Sequence, residues 1–150
     1  MGYRAPAGYF AACMPRDSVP ARPLIAIVDD DRSIRNALQN LLKAAGYFTV
    51  AFGSAATFLD SPLRASVVCL ITDLQMPGMS GLELHEHLTV SGAAIPTIVI
   101  TARAGELTGE LARKAGITCL LSKPFPPDRL LECVHKMLAK APPRLTIPRS

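Results

Sequence analysis

Short apolar runs alternate along the chain with longer stretches in which apolar residues return every three or four positions. Leu24-Ile25-Ala26-Ile27-Val28 is a continuous β-prone run, the pattern of a strand buried on both faces. Ile34, Leu38, Leu41, Leu42 and Ala45 follow at helical spacing, with Asp31 or a neighbour placed to cap that helix and Gly46 to end it. Residues 48–52 read as a second strand, and Ser54 caps a short helix through Leu59. Residues 67–72 are a third strand that runs straight into Asp73. A loop over 76–81 leads to a helix over about 82–90. Residues 96–100 are a fourth strand ending at Thr101, and a helix weakened by Gly109 spans 106–115, closed by Gly116. Residues 117–121 are a fifth strand ending at Lys123-Pro124, a locked turn that suits a cis bond. Asp128 caps a last helix whose Leu130, Leu131, Val134, Met137 and Leu138 face inward.

Five strands alternating with helices imply a parallel sheet covered on both faces. Right-handed crossovers then favour a flavodoxin-like, doubly wound five-stranded α/β sheet of order 2-1-3-4-5. The folded domain spans about 24–140. Residues 1–23, rich in Pro, Ala, Gly and Arg, read as a disordered extension, and 141–150, with three prolines, as a flexible tail. Met14 opens a shorter reading frame, so residues 1–13 are either a start-site artefact or a native extension.

Composition changes this picture little. At 150 residues and 49% hydrophobic, the chain suits one ordinary globular core rather than wholesale disorder. No apolar run reaches the roughly 18 residues of a membrane span. The net charge of +4 belongs to the two tails, because residues 23–140 hold 11 basic and 11 acidic side chains. Nucleic-acid binding by this chain alone is therefore not expected. Cys13, Cys69, Cys119 and Cys133 show neither zinc nor CxxC spacing. They read as reduced structural thiols of a cytoplasmic protein.

The polar residues that matter collect at one kind of place. Asp29 and Asp30 follow the first strand, Asp73 the third, Thr101 the fourth and Lys123 the fifth. Ligands of open α/β sheets bind outside the carboxyl ends of the strands, near the switch in strand order. Three carboxylates, a hydroxyl and an ammonium should thus converge there. Crowded carboxylates repel one another and need a cation. An oxygen-only cluster open to water suits Mg²⁺. One carboxylate could then attack phosphorus and form an acyl phosphate, with metal and Lys123 stabilising the transferring oxygens. Any one of these residues alone would be an ordinary cap, strand end or solvated lysine.

Four segments together resemble the receiver domain of two-component response regulators, of the FixJ type in the loop and the Lys-Pro-Phe ending. They are Ile27-Val28-Asp29-Asp30-Asp31, Thr72-Asp73-Leu74-Gln75-Met76-Pro77-Gly78-Met79-Ser80-Gly81, Val99-Ile100-Thr101-Ala102 and Ser122-Lys123-Pro124-Phe125. The separations from Asp30 to Asp73, Thr101 and Lys123 in turn, 43, 28 and 22 residues, also fit the family. The resemblance implies that Asp73 is the phosphoacceptor. It implies that Asp30 binds Mg²⁺ directly, Asp29 mainly through water, and Gln75 through its backbone carbonyl. Lys123 would bridge to the phosphoryl group, and Thr101 would move to hydrogen-bond it. The donor would be a phosphohistidine on a sensor histidine kinase or histidine phosphotransfer protein. Gln75 and Arg103 stand where the family tunes hydrolysis.

One position departs from the family. Leu120 stands where a Tyr or Phe normally swings inward. This leaves the phosphoryl chemistry untouched and puts the usual read-out across the fourth helix, fifth strand and fifth helix in question. Gly105 and Gly109 weaken the same region. Phosphorylation-dependent homodimers through that face, which the family implies, are weakened too. The chain ends soon after the receiver, so a stand-alone switch signalling to a downstream protein by contact is expected. The rival readings are a non-switching pseudo-receiver, favoured only by Leu120, a phosphoaspartyl hydrolase and a flavin binder. Gln75 stands where the hydrolase needs an acid, and three carboxylates would repel the FMN phosphate.

Overall fold

The computed structural model describes residues 24–102, 109–117 and 119–140. Both expected tails, the helical positions 106–108, Arg103, Gly105, Cys13 and Met14 lie outside the described residues. The described chain forms β1 (Leu24–Val28), α1 (Arg32–Ala44), β2 (Phe48–Phe52), α2 (Ala55–Asp60), β3 (Val67–Asp73), α3 (Gly81–Val90), β4 (Thr97–Thr101), α4 (Gly109–Lys114), β5 (Cys119–Ser122) and α5 (Pro127–Lys140). All strand pairs are parallel, and the sheet order is β2-β1-β3-β4-β5. This is the doubly wound flavodoxin-like architecture that the alternation predicts.

Side-chain alternation along each strand splits the core in two. Ile25, Ile27, Cys69, Ile71, Ile98, Ile100 and Leu121 point to one side, where α1 brings Leu38 and Leu42 and α5 brings Leu130, Cys133, Val134 and Met137. Ala26, Val28 and Leu70 point to the other, against Phe58 of α2 and Leu84 and Leu88 of α3. A third group on that side joins Leu74 and Val99 to Ala112 and Ile117 around α4. Strands dressed in apolar residues on both faces are buried on both faces, which is why they read as unbroken runs. The register then dictates the site. Val28 pairs with Thr72, and Asp73 pairs with Ile100. The residues just past these pairs therefore emerge together at one end of the sheet.

Three local expectations need correction. α5 begins at Pro127 and carries Asp128 in its first turn, so Asp128 is not the cap. Proline suits the first helical position because its missing N–H has no partner to lose there. A 3-10 turn over Pro62–Ser66, opened by Ser61, joins α2 to β3 where no element was expected. The reading of the cysteines as reduced thiols holds for buried Cys69. It fails for Cys119 and Cys133, which the structure joins as a disulfide between β5 and α5. The crossover of α5 back over β5 brings together positions 14 residues apart.

Candidate functional site

The β1–α1 turn is tied down by its own backbone. The Asp29 N–H donates to the Phe52 carbonyl of β2 at 3.1 Å. The Asp31 N–H donates to Asp29 Oδ1 at 2.9 Å. Asp31 itself caps α1, accepting from the Ser33 N–H at 2.8 Å. Arg35, one turn into that helix, reaches back and donates through Nη1 to the Asp29 carbonyl at 2.7 Å. Asp29 is thereby fixed and buried, while Asp30 beside it is exposed.

Asp73 is the last residue of β3. The Thr72 hydroxyl donates to its carbonyl at 3.1 Å. The next N–H, of Leu74, donates to Ile100 of β4 at 2.8 Å and holds the strand end in the sheet. The chain then loops out and returns at Gly81, the first residue of α3, where a Cβ would collide with the Asp73 carbonyl. Only glycine allows that approach. Ser80 caps α3 in a reciprocal box with Glu83, so the loop after Asp73 is anchored at both ends.

One carboxylate oxygen from each of Asp29, Asp30 and Asp73 lies within 4.8 Å of the others. Lys123 Nζ stands 3.6 Å from Asp73 Oδ1. Its backbone N–H donates to the Thr101 carbonyl at 2.8 Å, which fixes the end of β5 against β4, and the peptide bond to Pro124 is cis. Thr101 ends β4 fully buried, one register step beyond Asp73. Gln75 is exposed on the loop that leaves the site.

The electrostatics are unbalanced. Burial pushes the Asp73 carboxyl above the usual carboxylate range, and the Lys123 ammonium offsets only part of this. Burial also raises Asp29; the Asp31 N–H and Lys123 oppose it, while the Asp73 and Asp30 charges add to it. Three carboxylates against one nearby ammonium leave room for a hard cation. An all-oxygen donor set, part buried and part open to solvent, fits Mg²⁺.

Sequence reasoning picked out the four charged residues that the fold brings together. It missed Arg35, whose signal is an Arg six residues after Asp29 on the capped helix, and Gly81, whose signal is a glycine directly after a helix cap. Leu120 pairs with Val99 and packs toward Leu74, Ala112 and Ile117 on the α4 side of the sheet. It thus occupies, with an aliphatic chain, the place between β5 and α4.

The response regulator receiver domain family matches residues 25–135. The transcriptional regulatory protein FixJ of Bradyrhizobium diazoefficiens is 32% identical over 119 residues, covering 79% of this chain and 58% of that protein. The response regulator protein TodT of Pseudomonas putida is 36% identical over 119 residues, covering 79% of this chain and 52% of the relative. The chain thus spans about half the length of the curated relatives it matches. The crystal structure of FixJ-N superposes with a TM-score of 0.71 at 32% identity, covering 80% of this chain and 96% of that one. Sheet order, the acidic cluster and the family match agree, and the chain belongs to the response regulator receiver domain family of two-component systems.

Proposed function

We propose that this receiver, over residues 24–140, accepts a phosphoryl group on Asp73 and signals through protein contacts. The observation that carries the reading is the cluster of Asp29, Asp30 and Asp73 with Lys123 beside Asp73. The donor is a phosphohistidine on a sensor histidine kinase or histidine phosphotransfer protein. An Asp73 carboxylate oxygen bonds to phosphorus as the phosphorus–nitrogen bond breaks, and the imidazole nitrogen keeps the electron pair. Asp29, Asp30, Asp73 and the Gln75 carbonyl would hold Mg²⁺, which when bound neutralises charge on the transferring oxygens. Lys123 supplies a second positive charge on the same side, and the Thr101 hydroxyl donates to a phosphoryl oxygen. The tether from Arg35 and the approach of Gly81 keep the carboxylates in place, so little reorganisation accompanies transfer.

The setting is the cytoplasm, and among the described residues no helix is long and apolar enough to cross a membrane. The output is a downstream protein or a phosphorylation-dependent second copy, reached through α4, β5 and α5. Leu120 makes that read-out differ from the aromatic swing of the family. Intact mass after treatment with acetyl phosphate tests the proposal. A gain of one phosphoryl group is expected with Mg²⁺ and absent with EDTA or in Asp73→Ala. No gain in wild type with Mg²⁺ counts against it.

A further inference from the structure

We infer that Cys119 and Cys133 form a reversible dithiol–disulfide pair, a covalent modification site that ties β5 to α5. Cys119 opens β5 and shares its side of the sheet with Leu121, the side that α5 covers. Cys133 lies on α5 in the same core group. Their sulfurs are joined, and their Cα atoms are 6.5 Å apart, inside the roughly 4.4–6.8 Å that a disulfide spans.

The third thiol of this layer behaves differently. Cys69 of β3 lies on the same face, donates to the Met137 sulfur of α5 at 3.6 Å and is fully buried. Burial pushes its pKa up to about 12, so almost none of it is the reactive thiolate at neutral pH. Cys119 is only partly buried and Cys133 is 7% exposed. An oxidant thus reaches Cys119 first, with Cys133 placed to resolve.

The chemistry balances with a small-molecule disulfide such as oxidised glutathione. The Cys119 thiolate attacks one glutathione sulfur and releases the first glutathione thiolate. Cys133 then attacks Cys119 in the mixed disulfide and releases the second. The two cysteines lose two electrons and two protons, and glutathione disulfide gains them. Disulfides of proteins in reducing compartments are usually transient and redox-sensing. This one would clamp α5 to β5, the strand that carries Leu120 on its opposite face. That consequence rests on the proposed phosphoacceptor function; the pair itself does not.

The test equilibrates the full chain in glutathione buffers from reducing to oxidising, quenches with acid, unfolds and alkylates. Intact mass then counts thiols among the four cysteines of the chain. The expected result is a reversible loss of two alkylated thiols with one midpoint inside the series, and a peptide map linking Cys119 to Cys133. Cys119→Ala, at a partly buried site that tolerates it, should hold the count at three throughout. Four alkylated thiols across the series would overturn the proposal, as would a link to Cys13. A bridge that stays closed in the most reducing buffer would overturn it too, since that marks a permanent cross-link. Acetyl phosphate applied to both forms separates the two ideas. A bridge that opens and closes while Asp73 takes up no phosphoryl group refutes the phosphoacceptor reading and supports the pair.

Discussion

Among the described residues, polar side chains gather against the sheet in two places, and these are built on opposite plans. Beneath α3, His85 Nδ1 meets the Thr97 hydroxyl oxygen at 3.0 Å, and that hydroxyl donates to the Ile95 carbonyl at 2.7 Å. The ring also meets the Ala115 carbonyl, and burial holds the imidazole below its ordinary pKa. The Thr97 hydroxyl has one proton, so a neutral ring leaves one of these contacts without a hydrogen, yet every partner lies within the protein and the cluster carries no net charge. At the carboxyl ends of β1 and β3, by contrast, Asp29, Asp30 and Asp73 crowd together with Lys123 as the ammonium beside Asp73. Buried polar atoms alone therefore do not mark a functional site. Uncompensated charge, held rigidly and still reached by solvent, does.

Changes at the two places should then have opposite signs. His85→Ala leaves a cavity and removes one of the two hydrogen-bond partners of the Thr97 hydroxyl, so it should cost about 2–4 kcal/mol in urea unfolding. Asp29→Asn should instead raise the melting temperature at pH 7 in EDTA. The folded pKa of Asp29 is raised, so its charge opposes folding above that pKa. The gain should fade as pH falls through the folded pKa toward the ordinary carboxylate value. A destabilised Asp29→Asn would show that the Asp29 charge does not oppose folding.

Cation binding sharpens it further. Mg²⁺ at ten times its dissociation constant should stabilise wild type by about 1.4 kcal/mol and Asp29→Asn by less. Equal shifts in both proteins would remove Asp29 from the metal site. The smallest effect is the pH response of His85. Its folded pKa is lowered, so its contribution is present above the unfolded value near 6.5 and is lost as pH falls below it. Urea midpoints at pH 7.5 and 5.5 should show this loss in wild type and a smaller one in His85→Gln.

The contrast also explains what the sequence could tell. Strands buried on both faces, such as Leu24–Val28, announce themselves as unbroken apolar runs, and the crossover rule orders them. Asp29, Asp73 and Lys123 each directly follow or end a strand, so their convergence is a consequence of parallel topology. The His85–Thr97 pair joins a helix face to a strand 12 residues on, and nothing in local spacing signals it. Gly81 matters through a backbone approach across space, and Cys119 and Cys133 meet only once α5 has folded over β5. Such features depend on packing between elements, where one-dimensional periodicity is silent.

Asp73, among three clustered carboxylates, is the proposed acceptor. Borohydride reduces an aspartyl phosphate to homoserine, so reducing the acetyl phosphate-treated chain and sequencing its peptides names the residue that was modified. Homoserine is expected at position 73 in the Mg²⁺ sample and none in the EDTA control. Homoserine at position 29 or 30, or at none in either sample, would contradict it.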